Sequence, residues 1–320
     1  MNRRDLLKCG FAISGAGALG RLWPRHAPPA AHPLALSPDV LDTLRAAATP
    51  TLLGIGLTRP HARASAFDTV TPNNALKWRH VERYGWGVAD ALAALGKPIR
   101  AHTPLWGDEQ GRTPPDKAEG FMREIARRYG RQIYAWDIVN EPVHLPYCLD
   151  MVPGLVALAR ELTPHAAVAI NEFDAVRYLP GFADTCCLDA LIDLALSVGA
   201  DTIGIQAHEN RWYSQRELEL TFNAIEAAGL ACHVTEAIYR SDGSPIAAGH
   251  ASVDARCGVW DEQAQALAYR DLLAVARAHR AVKSITFWTL SDADAWSRMP
   301  QGGLLRDDLS PKPAWRAVTQ

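Results

Sequence analysis

The chain alternates short apolar runs with longer stretches in which apolar residues recur every three or four positions. The short runs predict eight strands, at 51–57, 67–71, 98–102, 133–140, 167–171, 202–208, 231–236 and 284–290. The longer stretches predict amphipathic helices, among them PDKAEGFMREIARRYG, LDALIDLALSVG, QRELELTFNAIEAAG and DEQAQALAYRDLLAVARAH. From about residue 51 onwards, strands and helices therefore alternate.

This alternation favours a parallel sheet whose strands are joined by crossover helices. Eight such strands indicate a closed barrel, so the predicted fold class is α/β with a single (β/α)8 TIM barrel, a fold that commonly takes about this length of chain. Polar, proline-containing stretches at 111–116 and 241–260 predict loops. We identify no linker between two cores.

The first 35 residues follow a different pattern. Arg3 and Arg4 precede a short apolar run from Phe11 to Gly20, which is too short to cross a bilayer as a helix, and a proline-rich spacer follows. The segment NRRDLLK resembles a twin-arginine export signal, which implies that 1–35 are signal and spacer, that 36–320 are the barrel domain, and that the protein is periplasmic or secreted. A merely basic N-terminus is the alternative.

Composition and charge exclude some classes of partner. The chain is 48% hydrophobic and its formal net charge is -2, so nothing favours a nucleic acid or an anionic membrane surface. Apart from Cys9 there are five cysteines without paired Cys-x-x-Cys units, so we expect no metal site and no cofactor. Their odd number leaves at least one thiol free, and the spacing does not identify a disulfide. We expect a monomer.

Polar and aromatic residues follow the predicted strands, at ends that would meet at one mouth of a barrel. In strand order they are Asn74 and Lys77, His102 and Trp106, Asn140 and Glu141, Asn171, Gln206 and His208, Glu236, and Trp288 with Trp296. One polar strand end means little, but seven that share a mouth indicate a site.

Two carboxylates stand out in this set. Glu141 follows strand four and Glu236 ends strand seven, so the two side chains can face each other across the mouth. Cleavage of a glycosidic bond needs such a pair, one acid to protonate the leaving oxygen and one carboxylate to attack or to activate water. The separation of the two groups, which decides between retention and inversion, is not available from sequence.

The chain is similar to the endo-β-1,4-xylanases of glycoside hydrolase family 10. The matching segments, in order, are FDTVTPNNALKW, GKPIRAHTPLW, WDIVNEP, INEF, IGIQAH, VTE, ITFWTLSDADAW and LLRDDLSPKPAW. They extend over residues 51–316. A lone NEP would be a weak signal, whereas eight ordered segments are a strong one.

The resemblance implies a retaining double displacement on β-1,4-xylosidic bonds, with Glu141 as acid/base and Glu236 as nucleophile. It implies that Asn140 holds the sugar 2-hydroxyl and that His208 hydrogen-bonds the nucleophile. It further implies sugar contacts at Asn74, Lys77, His102 and Gln206, and pocket walls formed by Trp106, Trp288 and Trp296.

Three positions depart from the family pattern. Asn73 replaces a glutamate that usually contacts the next sugar outward, and we expect its amide to remain a weaker sugar contact. Ile238 replaces an aspartate that would orient the histidine matched by His208, and Gly107 replaces a histidine. These changes concern the sugar-binding face, so the substrate is less firmly implied than the chemistry.

Three alternatives remain open. The barrel could bind an oligosaccharide without turnover, although Glu141 and Glu236 are both present. It could act on another β-linked or decorated glycan by the same mechanism. It could also be a metal-dependent hydrolase that uses His102, His208, His233 and Asp292, although the His-x-His usual on the first strand of such barrels is missing.

Overall fold

The structure is a computed structural model, and it describes residues 51–109, 111–178, 186–208, 211–246 and 258–320. The export signal and spacer at 1–35 lie outside the described residues, as does the predicted boundary at residue 36. Both therefore stay predictions.

Eight parallel strands close into a barrel. They are β1 (Leu52–Leu57), β2 (Thr69–Pro72), β3 (Ile99–Trp106), β4 (Ile133–Asn140), β5 (Ala167–Phe173), β6 (Thr202–Gln206), β7 (Ala231–Ala237) and β8 (Val282–Phe287). Each strand pairs with the next, and β8 pairs with β1 in a register that places Leu52 opposite Ser284. The predicted single (β/α)8 barrel is confirmed.

Helices follow the strands along the described chain. They are α1 (Trp78–Tyr84), α2 (Gly87–Ala93), α3 (Pro115–Tyr129), α4 (Val152–Leu162), α5 (Leu188–Val198), α6 (Gln215–Ala227), α7 (Glu262–Ala278) and α8 (Pro313–Thr319). In α3 the apolar positions Phe121, Met122 and Ile125 are fully buried, as the sequence periodicity predicts. The start of α6 is fixed by a capping box between Ser214 and Glu217.

All strands except β4 differ in extent from the sequence prediction, and β3 and β8 differ the most. β3 continues to Trp106 because Leu105 and Trp106 still pair with Val139 and Asn140 of β4. β8 begins at Val282, where the exposed Lys283 interrupts the apolar pattern, and it ends at Phe287. The next three residues, 288–290, leave the sheet but remain buried.

The barrel interior contains a buried ion pair below the mouth. Arg100 and Asp137 are both fully buried, and the guanidinium Nη1 donates to Asp137 Oδ1 at 2.6 Å. The same guanidinium contacts His233 and donates to Ser284 Oγ at 3.5 Å. Such a pair is costly to break, because removing one partner leaves the other charge buried and uncompensated.

No helix among the described residues is long and apolar enough to cross a membrane. Cys148, Cys187 and Cys232, in that part of the chain, are free thiols, and Cys257 lies outside it.

Candidate active site

The residues singled out in the sequence come together at the carboxyl ends of the strands. Asn73, Asn74 and Lys77 follow β2, while His102 lies within β3 and Trp106 is its last residue. The other members are Asn140 at the end of β4, Glu141 after it, Gln206 at the end of β6, His208 just beyond, Glu236 in β7, and Trp288 and Trp296 after β8. Barrel closure thus gathers residues that are up to 223 positions apart, from Asn73 to Trp296.

Glu141 is held in place by its backbone and by a tryptophan. Its φ of 57° lies in the left-handed region, where a non-glycine residue costs about 1–2 kcal/mol, and its backbone N–H donates to Asn171 O at 2.7 Å. Trp106 Nε1–H donates to Glu141 Oε2 at 2.9 Å. Burial raises the pKa of Glu141, while the hydrogen bonds from Trp106 and Gln206 and the charge of Lys77 oppose the rise.

Glu236 is the more deeply buried of the two carboxylates, with 5% of its surface exposed. Its Oε1 accepts a hydrogen bond from Asn171 Nδ2 at 3.1 Å and lies 4.0 Å from His102 Nε2. Burial raises the pKa of Glu236, and the nearby Lys77 ammonium is the largest opposing influence. The site therefore stabilises the ionised carboxylate mainly through one cation and one amide.

Asn171 forms hydrogen bonds to side chains of both β4, which precedes Glu141, and β7, which contains Glu236. Its amide Nδ2 donates to Asn140 Oδ1 at 2.7 Å as well as to Glu236, and its Oδ1 accepts from Thr235 Oγ1 at 2.6 Å. Gly204 makes room for it, because a Cβ at that position would lie 2.4 Å from Asn171 Oδ1. The sequence placed Asn171 at a strand end without a role, and its part in orienting Glu236 became visible only in the folded chain.

A buried chain of polar groups leads to the nucleophile side of the site. His102 Nδ1 lies 3.0 Å from Asp137 Oδ2, and Asp137 is itself paired with Arg100. Burial lowers the pKa of His102 to about 4, so the imidazole is neutral at neutral pH. Because a carboxylate only accepts, we assign the proton to Nδ1, which leaves the lone pair of Nε2 towards Glu236.

His208 differs from its expected role. The resemblance implied a hydrogen bond to Glu236, but His208 Nε2 lies 2.8 Å from Gln206 Oε1 instead. Gln206 Nε2 in turn donates to Asn140 Oδ1 at 3.0 Å. His208 therefore orients the amides beside Glu141 rather than the nucleophile.

Three tryptophans lie beside the other residues of the candidate site. Trp288 is 9% exposed and lies edge-to-face with His102, with ring centroids 5.4 Å apart. Trp296 is 38% exposed and meets His208 at 5.5 Å. Lys77 Nζ lies 4.4 Å from the Trp106 ring centroid, and Lys77 also donates to Asn74 Oδ1 at 3.0 Å. The rings provide apolar faces, which suit the C–H surface of a sugar.

Packing explains two of the departures from the family pattern, Gly107 and Ile238. A Cβ at Gly107 would lie 2.6 Å from Leu145 O, and Arg112 donates twice to the Gly107 carbonyl, at 3.0 and 2.6 Å. Ile238 is fully buried and packs with Trp288 and Met299. A histidine at 107 would not fit beside the loop after β4, and an aspartate at 238 would lose its solvation.

The metal alternative finds no support in the described ranges, which contain no group of three or more His, Cys, Asp or Glu side chains able to hold a metal ion. Asp292 pairs with the buried Lys312 at 2.7 Å, and His233 contacts Arg100. Two of the four residues named for that alternative are thus bound to cationic side chains.

Comparisons with known proteins match one family along most of the chain. The family described as Glycosyl hydrolase family 10 matches residues 44–147 and 152–320. An endo-1,4-beta-xylanase/feruloyl esterase of Xylanibacter ruminicola is 25% identical over 72% of this chain, which spans only 38% of that protein. Endo-1,4-beta-xylanase A of Caldicellulosiruptor saccharolyticus is 23% identical, with 72% of this chain and 77% of that protein covered.

Solved structures show the same fold. An endo-1,4-beta-xylanase from Caldicellulosiruptor owensensis superimposes with a TM-score of 0.66 at 20% identity, covering 84% of this chain and 96% of the other. A glycosylated endo-beta-1,4-xylanase from Gloeophyllum trabeum gives 0.64 at 24% identity, with 88% and 98% covered.

Proposed function

The chain belongs to glycosyl hydrolase family 10, and we propose that it is a retaining enzyme that cleaves β-1,4-xylosidic bonds in xylan or xylo-oligosaccharides. The observation that carries the proposal is the pair of carboxylates at the mouth, the partly buried Glu141 and the buried Glu236, which share the charge of Lys77. The names of the relatives, which are xylanases, support xylan as the substrate.

In the first step Glu236 attacks the anomeric carbon. A bond forms between a carboxylate oxygen and that carbon, the bond to the leaving oxygen breaks, and Glu141 transfers its proton to the leaving oxygen. The assignment of the two roles rests on the family pattern, because burial raises the pKa of both carboxylates. The product of the step is a glycosyl ester of Glu236.

In the second step Glu141 works as a base. Ester formation removes the negative charge of Glu236, which lowers the pKa of Glu141 because a like charge is gone. Glu141 then takes a proton from water, the water oxygen bonds to the anomeric carbon, and Glu236 leaves as a carboxylate. Two inversions give net retention.

The remaining side chains hold the sugar whose anomeric carbon reacts. Asn140 lies next to Glu141, and Gln206 and Asn171 both donate to its Oδ1, so its own NH2 group is turned outward to a sugar hydroxyl. That bond would strengthen in the transition state. The other contacts proposed are Asn74, Lys77, His102 and the three tryptophans.

The test combines xylans and aryl β-xylobiosides with two variants. We expect release of reducing sugar and of aglycone, unaffected by a chelator, and products of retained configuration in proton NMR. Glu236→Ala should lower the rate on every substrate by at least about 10³-fold. Glu141→Ala should spare the first step for aglycones that leave without protonation. Glu119→Ala, at an exposed position on α3, is the control.

Absence of activity on xylan and aryl xylobiosides over roughly pH 4–9 would contradict the proposal. A protein that binds xylo-oligosaccharides without turnover would be the non-catalytic barrel. Activity confined to another β-linked glycan would keep the mechanism and change the substrate. A panel of plain and branched xylans and β-glucans separates these outcomes.

We also propose export through the twin-arginine route to the periplasm or beyond, which rests on NRRDLLK in the sequence. Replacing Arg3 and Arg4 by lysine should retain the protein in the cytoplasm. Unchanged export of that variant, measured by fractionation, would contradict the route.

A further inference from the structure

Asn73 is almost wholly buried, and its side chain is already engaged. It is 8% exposed, and its Nδ2 donates to the backbone carbonyl of Trp288 at 3.1 Å. Since a carbonyl oxygen only accepts, the NH2 group of the amide must face Trp288. The other polar atom, Oδ1, must therefore point elsewhere.

Asn73 Oδ1 lies beside Gly56 of β1 and is not exposed at the mouth of the barrel. A Cβ on Gly56 would come within 2.6 Å of Asn73 Oδ1 and within 2.4 Å of Trp288 O. Oδ1 is buried, and within the described residues it has no hydrogen-bond partner. Gly56 thus leaves the space through which the end of β2 reaches the end of β8.

The backbone around this contact joins the ends of four strands, β1, β2, β7 and β8. Asn73 N–H donates to Leu57 O at 3.1 Å, and Trp288 N–H donates to Ala237 O at 2.9 Å. Ala237 directly follows Glu236, the proposed nucleophile. Trp288 therefore accepts a hydrogen bond from Asn73 through its carbonyl and donates one through its N–H to β7, the strand that carries Glu236.

Trp288 belongs to the wall of the sugar that reacts. Its ring lies edge-to-face with His102, and His102 Nε2 is 4.0 Å from Glu236 Oε1. A shift of the Trp288 backbone would move this wall, and small displacements near reacting atoms are costly to catalysis.

On the basis of the proposed function, we propose that Asn73 is a positioning residue for Trp288, and so for the first glycone sugar, rather than a contact of the second sugar. The first glycone sugar is the one whose anomeric carbon reacts, and the second is the next one outward. This assignment replaces the sugar contact expected from the sequence. A carboxylate at this position could not take the same role, because it has no hydrogen to donate to Trp288 O.

The proposal is tested with Asn73→Asp, which removes the donor at constant shape, and Asn73→Ala. The inhibition constants of xylose and of xylobiose are measured, together with KM for 4-nitrophenyl β-xyloside and β-xylobioside. Loss of the positioning hydrogen bond should raise both inhibition constants and both KM values by a similar factor of roughly ten. Inhibition constants and KM do not depend on the fraction of folded molecules, so a merely structural loss would leave them unchanged.

Asn223→Asp is the matched control, since Asn223 pairs with His279 on the outer helices and should leave all four constants unchanged. Weaker binding of xylobiose and its glycoside alone would overturn the proposal, because it would make Asn73 a contact of the second sugar. Unchanged constants for all four ligands would also overturn it. A wild-type protein that neither hydrolyses the glycosides nor binds the sugars would overturn the proposed function itself. If Asn73→Asp fails to fold, Asn73→Ala, which buries no charge, supplies the same comparison.

Discussion

Trp106 Nε1–H donates to Glu141 Oε2 at 2.9 Å, and the same indole carries the Lys77 ammonium 4.4 Å from its centroid. One oxygen of the proposed acid is thereby occupied by a donor, so the catalytic proton belongs on the other oxygen. The end of β3 and the segment after β2 thus fix both the direction and the charge environment of Glu141.

Trp106→Phe should impair proton donation while keeping an aromatic wall. We expect kcat to fall roughly tenfold on aryl xylobiosides with basic leaving groups, and less on those with acidic ones, because only the former depend on Glu141. The measurement is a leaving-group series. Trp212→Phe is the control, since that indole, in the segment before α6, donates to Asp271 of α7 at 3.2 Å. An equal loss across the series would contradict this role.

Lys77→Met should move the acidic limb of the kcat/KM profile to higher pH. The Lys77 charge opposes the burial that raises the pKa of Glu236, so removing it raises that pKa further. Because the nucleophile works ionised, activity should then be lost at a less acidic pH. Lys117→Met, on α3, should leave the limb in place. A shift towards lower pH would show that the sign of the interaction is wrong.

Gly111→Ala should displace Trp106. A Cβ at Gly111 would lie 2.2 Å from the indole ring, so the ring must move and its hydrogen bond to Glu141 must lengthen. We expect a loss in kcat of roughly tenfold, as for Trp106→Phe. Gly120→Ala is the control, because a Cβ there meets nothing within 4 Å, and alanine should stabilise α3 by about 0.5–1 kcal/mol. A normal kcat in Gly111→Ala would mean that the backbone around residue 111 shifts while the Trp106 ring keeps its place.

Asp137→Asn should destabilise the fold. It leaves the Arg100 guanidinium buried without its counter-charge, which costs about 3–5 kcal/mol in the free energy of unfolding measured with urea. Replacing both residues by apolar ones should recover much of that loss. Glu119→Gln, in an exposed pair with Arg123, should change the free energy by less than about 1 kcal/mol. A similar small effect of Asp137→Asn would argue against a dry barrel interior.

The elements of the barrel followed from local sequence, because the periods of a helix and of a buried strand are properties of neighbouring residues. The same holds for Glu141 and Glu236, whose places at the ends of strands four and seven already indicated two carboxylates at one mouth. The ends of β3 and β8 were less well predicted, since the partner strand decides where pairing stops.

The partners of the side chains were decided only by the tertiary structure. Asn171 orients Glu236, His208 pairs with Gln206, and Asn73 turns to Trp288, although the sequence suggested other roles for the last two. The physical reason is that a hydrogen bond joins atoms from distant strands, and closure of the barrel sets their distance to within tenths of an ångström. Sequence determined which groups meet at the mouth, and the folded chain decided which of them bond.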